Sequence, residues 1–233
     1  MNKRAVILAG GKGTRLKPYS ISLPKPLVPV GEMPILEIII RQLKKNGFER
    51  ITITVNHFAD IIQAFFGDGS KWDVQIDYSV ESKALSTMGP FTLIKDLPEN
   101  FLIMNGDVLT DLNYHNFFSA HIIGSHHFTI GAHRRSDKLE YGVLLSNENS
   151  QLIGFQEKPI NNYLVSMGVY MMSKEILQFI PEDTFFGFDH LMNKLIEKKK
   201  LPKVHEFDGY WLDIGRPEDY ERAINEYHKK DFF

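Results

Sequence analysis

The hydrophobic pattern opens on Ala5-Val6-Ile7-Leu8-Ala9, a run without polar interruption. Such a run predicts a strand buried on both faces, as in a parallel sheet. Residues 34–46 carry apolar positions at Ile35, Leu36, Ile39, Ile40 and Leu43. That spacing predicts a helix with Pro34 in its first turn and Gly47 as its stop. Residues 50–55 are rich in β-branched side chains and predict a second strand, and 74–80 alternate as a third. Between them Ala59–Phe66 reads as a short amphipathic helix, ended by the turn sequence Gly67-Asp68-Gly69-Ser70. Residues 101–104 form a fourth strand, apolar on both faces, running into Asn105-Gly106-Asp107. Strands alternating with helices in this way predict an α/β fold of βαβ units with a mainly parallel sheet.

The second half is patterned differently. Residues 127–133, 141–146, 152–157 and 165–172 are strand-like with shorter gaps, which predicts antiparallel additions rather than further crossovers. Residues 189–199 read as an amphipathic helix with Leu191, Leu195 and Ile196 inward. Its basic end, Lys198-Lys199-Lys200, is explained by cations opposing a helix dipole. Residues 217–230 predict a last helix, with Pro217 first and Glu218 and Asp219 in the first turn. No linker, low-complexity segment or repeat interrupts the chain, so one domain is expected.

Composition narrows the function without supplying it. The net charge of −2 over 233 residues gives no bulk attraction to nucleic acid or anionic membranes, so anion recognition has to be local. The absence of cysteine excludes disulfides and thiolate–metal sites. The N-terminal apolar run is too short to span a membrane and ends in glycines, and the expected location is the cytoplasm.

Candidate chemistry begins where the first strand breaks into Gly10-Gly11-Lys12-Gly13-Thr14-Arg15, followed by Pro24-Lys25-Pro26. Glycines let the backbone turn with positive φ and bring its N–H groups close to a ligand. Edged by Lys12, Arg15 and Lys25, such a nest suits phosphate. It is not a Walker loop, since no Gly-Lys-Ser/Thr follows at the required spacing. Leu16 occupies the third glycine position of a dinucleotide fingerprint, which disfavours an NAD(P)-dependent oxidoreductase. His121, His126, His127 and His133 are not expected to share a face or to bind metal. The pairs Phe117-Phe118 and Phe185-Phe186 are expected to serve as core or lid packing.

Leu8-Ala9-Gly10-Gly11-Lys12-Gly13-Thr14-Arg15-Leu16 with Pro24-Lys25-Pro26-Leu27 resembles the signature of the sugar-1-phosphate nucleotidyltransferases. The resemblance continues in order through 85–90, Asn105-Gly106-Asp107, Tyr141-Gly142-Val143, Glu157-Lys158-Pro159 and 211–215, nearly the whole chain. It implies a Rossmann-like sheet of the nucleotide-diphospho-sugar transferase type, with a nucleotide half at about 1–112 and a sugar half at about 113–233. The implied reaction joins a nucleoside triphosphate and a sugar 1-phosphate with release of pyrophosphate. By that resemblance Leu8, Gly10, Gly11, Gly13, Thr14, Ser86 and Thr87 hold the nucleotide and Glu81 reads its base. Arg15 and Lys25 are the catalytic cations, each expected to contribute about 3–4 kcal/mol. Asp107 and Asp213 are expected to hold Mg²⁺, Asp111 being the nearby competitor for Asp107. Gly142, Glu157, Lys158 and Ser166 are expected to grip the sugar and its phosphate.

Two details bear on specificity. A carboxylate at Glu81 suits the paired donors of guanine and repels the carbonyls of uracil or thymine, which favours GTP and a mannose- or heptose-type acceptor. Lys83 is close enough in sequence to pair with Glu81 instead, and Ser86 and Met88 replace the glycine and alanine usual in the family. Uridylyl or thymidylyl transfer, or a non-catalytic regulatory relative, are the alternatives. No left-handed β-helix is expected after the last helix, which disfavours a fused acetyltransferase, and a homodimer is compatible with the sequence.

Overall fold

The computed structural model describes residues 3–56 and 58–227. The first half contains β1 (Lys3–Leu8), the two-residue pair β2 (Pro29–Val30) and β3 (Met33–Pro34), α1 (Ile35–Lys45) and β4 (Phe48–Val55). It continues with α2 (Ala59–Phe66), β5 (Gln75–Val80), β6 (Asn100–Asn105) and β7 (Val108–Thr110). The second half adds α3 (Tyr114–Ile123), β8 (Phe128–Lys138), β9 (Val143–Ser146), β10 (Leu152–Gln156) and β11 (Ile160–Ser173). It ends with α4 (Phe188–Glu197), β12 (Lys203–Glu206), β13 (Trp211–Asp213) and α5 (Pro217–Tyr227). Residues 228–230 of the predicted last helix lie outside the described residues.

Seven strands form one sheet in the order β12-β8-β11-β6-β1-β4-β5, and only β11 runs against the others. This is the mixed, mainly parallel sheet that the hydrophobic pattern predicts. The uninterrupted run of β1 is explained by its place near the middle. Ala5 and Ile7 pack into one hydrophobic cluster and Val6 into a second on the other face. Residues from α1, α2, α3 and α5 fill the first cluster, and Leu191 and Leu195 of α4 the second. At the end of α1, Gly47 takes φ 79°, the left-handed stop its sequence implies.

Two expectations need correction. The pairs β8/β11 and β9/β10 are antiparallel as expected, but β12 joins the sheet edge parallel to β8. A helix, α3, also occupies 114–123, where the pattern predicts none. Tyr114, Phe117 and Phe118 bury one side of it while Ile123 is exposed on another, so its apolar residues do not mark a single stripe. Its start is specified by Asn113, whose Oδ1 accepts the N–H of Asn116 at 2.8 Å. Among the described residues no helix is long and apolar enough to cross a membrane.

Candidate functional site

Ligands of open α/β sheets collect at the C-terminal ends of the strands, and four such ends meet here. Gly106 N–H donates to Leu8 O at 2.9 Å, joining the loop after β6 to the end of β1. Glu81 N–H donates to Val55 O at 2.9 Å and ties the end of β5 to β4. Between these ends lies a cleft of about 580 Å³ lined by Leu8, Gly10, Gly11, Glu81, Ser86 and Thr87, all expected from sequence. Gly13 and Thr14 are not in its lining. Asp107 is on its border, and Thr54, Asn56, Asn105 and Phe185 are cleft residues that sequence reasoning missed. Of the aromatic pairs, Phe117, Phe118 and Phe186 are core, whereas Phe185 is exposed into this cleft.

The loop glycines are required for different reasons. Gly13 alone has the expected left-handed conformation, φ 63°, and Ser20 Oγ locks it by donating to its carbonyl at 2.6 Å. A Cβ on Gly10 would stand 2.9 Å from Glu81 Oε1, so that glycine admits the carboxylate. Gly11 has open space beside it, as an approach to a ligand needs. Glu81 is buried, its Oε2 accepts the N–H of Leu85 at 3.1 Å, and burial raises its pKa above the ordinary carboxylate range. Lys83 does not pair with it and instead bridges to Asp183 at 2.7 Å. Ser86 has φ 66°, the left-handed conformation that suits the glycine it replaces. Thr87 Oγ1 accepts the N–H of Phe188 at 2.8 Å and so fastens the start of α4 to the cleft wall.

The two predicted metal ligands are brought together by β7 and β13. These three-residue strands pair antiparallel with Asp213 opposite Val108, and Ile214 N–H donates to Asp107 O at 3.0 Å. Burial, and next the carboxylate of Asp107, push the Asp213 carboxyl above its usual range, while Lys25 and Arg15 act against the shift. Lys25 forms an ion pair with Asp107 Oδ2, and Asp107 Oδ1 is buried without a partner among the described residues. Pro24 and Pro26 hold Lys25 in a single 3₁₀ turn that aims it there. Asp111 lies at the far end of the same strand pair, where its Oδ1 accepts the N–H of Tyr210 at 2.7 Å.

A second cleft, about 560 Å³, opens on the other side of Asp213 and is lined by Arg15, Arg134, Arg135, Arg216, Arg222 and Trp211 among others. Arg15 belongs here, whereas Lys12 belongs to the first cleft. Beside Asp213 the strand β11 bulges between Ser166 and Tyr170. Trp211 Nε1 pins the bulge by donating to Met167 O at 3.0 Å, and Ser166 Oγ lies 2.9 Å from the Tyr170 hydroxyl. Tyr170, also unforeseen, has its pKa raised by burial and by the charge of Asp213. Gly142, Glu157 and Lys158 are exposed on the projecting β9–β10 region, and none is in the lining of either cleft. Gly142 and Glu157 are neighbours, since a Cβ on Gly142 would come 3.2 Å from Glu157 Oε2.

The histidines require a further correction. His121, His126 and His127 share a recess of about 310 Å³ at the opposite strand ends, because a turn at 124–125 folds His126 back onto α3. His133 is elsewhere, bonded to Phe207 O at 2.8 Å.

Residues 4–230 match the family described as "Nucleotidyl transferase". The chain belongs to that family. The chain is 32% identical to a UTP–glucose-1-phosphate uridylyltransferase from Synechocystis, over 95% of this chain and 62% of that relative. It is 30% identical to a D-glycero-alpha-D-manno-heptose 1-phosphate guanylyltransferase from Campylobacter jejuni, over 93% of this chain and 96% of the relative. The chain thus spans less than two thirds of the first and almost all of the second. The crystal structure of HddC from Yersinia pseudotuberculosis complexed with GMP-PN superposes with a TM-score of 0.75 at 27% identity, covering 97% of this chain and 99% of that one.

Proposed function

We propose that the protein transfers a nucleotidyl group from a nucleoside triphosphate to a sugar 1-phosphate and releases pyrophosphate. The observation that carries this reading is the meeting of Lys25, Asp107 and Asp213 between two clefts of similar size, one glycine-lined and one arginine-lined. Two polyanions have to approach for this reaction, so alignment and charge neutralisation dominate its barrier. The triphosphate is assigned to the first cleft, with its phosphates over Gly10, Gly11 and Lys12. The acceptor phosphate is assigned to the second cleft beside Arg15 and Arg216, and the sugar hydroxyls to Ser166 at the β11 bulge and to Gly142, Glu157 and Lys158 of the β9–β10 region. An acceptor phosphate oxygen attacks the α-phosphorus, the bond to the β-phosphate breaks, and pyrophosphate leaves. Lys25 steadies the charge that accumulates between the two phosphates, Arg15 holds the acceptor phosphate, and Lys12 neutralises the pyrophosphate leaving from the first cleft.

The acidic pair fits Mg²⁺, which takes one or two carboxylates and completes its shell with water and phosphate oxygens. Asp107 Oδ1 is buried without a partner among the described residues, and burial beside Asp107 raises the proton affinity of Asp213 despite Lys25 and Arg15, so the pair accommodates a further cation. Bound there, Mg²⁺ would polarise the phosphoryl oxygens. Asp107 and Asp213 would hold it, and Lys25 keeps the Asp107 side chain in place.

For the base we infer guanine. Glu81 lines the cleft and Leu85 engages only its Oε2, and the guanylyltransferase relative is matched over 96% of its own length. The uridylyltransferase relative supports the competing pyrimidine reading. A matrix of triphosphates against sugar 1-phosphates, read by Mg²⁺-dependent pyrophosphate release, tests both levels. Turnover with GTP and a manno- or heptose-configured acceptor is expected. Preference for UTP or dTTP overturns the Glu81 argument alone, whereas silence throughout, with nucleotide still bound, overturns transfer in favour of a regulatory binder.

A further inference from the structure

Most of the first cleft is lined by glycine, hydroxyl, amide or charged groups, which suit phosphates, a ribose and the polar edge of a base. Phe185 is different. Among the described residues it is the one aromatic ring in that lining, and it is 62% exposed. Its chain neighbour Phe186 shows the ordinary fate of such a side chain, buried with Leu191 and Leu195 in the second hydrophobic cluster.

A single exposed phenylalanine on an open surface has no consequence, but the backbone around this one is fixed. Phe186 N–H donates to Leu85 O at 3.0 Å, and Phe186 O accepts the N–H groups of Met88 at 2.9 Å and Gly89 at 3.0 Å. Phe188 N–H donates to Thr87 Oγ1 at 2.8 Å, and on the other side Asp183 bridges to Lys83 at 2.7 Å. Gly187 sits tight against the same wall, since a Cβ on it would stand 3.2 Å from Ser86 Oγ. Both flanks of Phe185 are thus fastened to residues 83–89, which carry Ser86 and Thr87 of the cleft. The His190 ring meets Phe185 at 88° with centroids 6.5 Å apart, and among the described residues no ring stacks face to face with it.

We propose that Phe185 is a stacking residue for the nucleobase, its face packing on the base of the bound triphosphate while Glu81 reads the polar edge. This rests on the assignment of the triphosphate to the first cleft, but not on the base being guanine. Bases differ at their edges, whereas every base has a π-face. Phe185 therefore supplies affinity common to all nucleotides, and Glu81 supplies the choice among them. A ring carried on backbone that is already fixed also lowers the ordering cost of binding.

Calorimetric titration of the full chain with GTP, UTP and inorganic tripolyphosphate, in Mg²⁺ and without acceptor, tests this. Phe185→Ala is expected to weaken each nucleotide that the wild type binds by roughly ten- to a hundred-fold. Its affinity for tripolyphosphate, which has no base to stack, should stay the same, and Phe185→Tyr should restore nucleotide binding. The thermal midpoint should hold, because the ring is largely in solvent. Phe185→Trp adds a spectroscopic reading against the background of Trp72 and Trp211. Its emission should be quenched as GTP saturates the cleft and not by tripolyphosphate. Undiminished nucleotide affinity in Phe185→Ala, or an unquenched tryptophan at saturation, overturns the stacking role alone. An equal loss of tripolyphosphate overturns it in favour of a structural role for residues 183–188. A wild-type chain that binds no nucleotide overturns it together with the transfer reading.

Discussion

Single residues at the acidic centre trade stability for chemistry, and the sign of that trade differs between them. Asp213 has its pKa raised by burial and by Asp107. A carboxyl raised in the folded state contributes stability below its unfolded pKa and loses it as pH rises through the folded value. At neutral pH, well above the ordinary range, the ionised Asp213 is therefore a cost to the metal-free fold. Asp213→Asn is expected to raise the thermal midpoint at pH 7, with a smaller gain near pH 4, while lowering turnover by two orders of magnitude or more. Scanning calorimetry beside a pyrophosphate assay checks both halves, and a lowered midpoint at pH 7 would contradict the electrostatic reading. Lys25→Ala should behave oppositely in stability. It strips Asp107 of its ion pair and costs about 2 kcal/mol. It should also reduce kcat a few hundred-fold with little change in triphosphate affinity; a change confined to KM would make Lys25 a docking residue.

At the scale of elements, the bulge in β11 connects the two clefts. Gly168 sits in it with φ 72°; a Cβ there would stand 2.5 Å from Asn105 Nδ2, and Asn105 lines the first cleft. Gly168→Ala is expected to cost about 1–2 kcal/mol from the left-handed backbone. By displacing Asn105 it should also raise KM for the triphosphate, as denaturant titration and steady-state kinetics would reveal. An unchanged KM would mean that Asn105 does not touch the nucleotide. Elements of this kind mark the limit of what the sequence discloses. Helix α2 and the strands β1, β4, β5 and β6 are legible because each follows a local period of burial. Strands β7 and β13 are too short to have a period, and their pairing spans a hundred residues, so no local pattern announces that Asp107 and Asp213 meet. Only family resemblance pairs those two in advance. The polar edge strand β12, Lys203-Val204-His205-Glu206, is hidden because an edge has little to bury. The roles of Gly10, set by the Glu81 carboxylate 2.9 Å from its absent Cβ, and of Lys83, set by Asp183, depend on distances that a sequence does not contain.

Across the whole molecule, the candidate site gathers at one end of the strands and a hydrogen-bond network around one buried histidine lies at the other. His121 is buried on α3; its Nδ1 lies 2.8 Å from Thr129 Oγ1 of β8 and its Nε2 3.1 Å from Asn100 Oδ1 of β6. Ser173 Oγ, at the end of β11, donates to the same Asn100 oxygen at 2.7 Å. One imidazole thus connects a helix to three strands of the sheet. Burial, assisted by the nearby His126 and His127, lowers its pKa to about 4. The sign follows directly. A group depressed in the folded state supplies stability above its unfolded pKa and loses it as pH falls through the folded value. The fold is therefore expected to weaken between about pH 6.5, the ordinary imidazole value, and about pH 4. Asn100 Oδ1 can only accept, so the neutral ring donates from Nε2 and accepts the Thr129 hydroxyl at Nδ1; a protonated ring would have to donate from both nitrogens and lose that hydroxyl's donation. His121→Gln retains a donor and an acceptor and cannot titrate, so its thermal midpoint should fall less over that interval even if it starts lower at pH 7. Parallel profiles for the two proteins would assign the acid sensitivity to other groups. Because His121 is remote from Lys25 and Asp107 along the strands, the same variant should keep its pyrophosphate release at neutral pH, separating the pH dependence of the fold from that of the reaction.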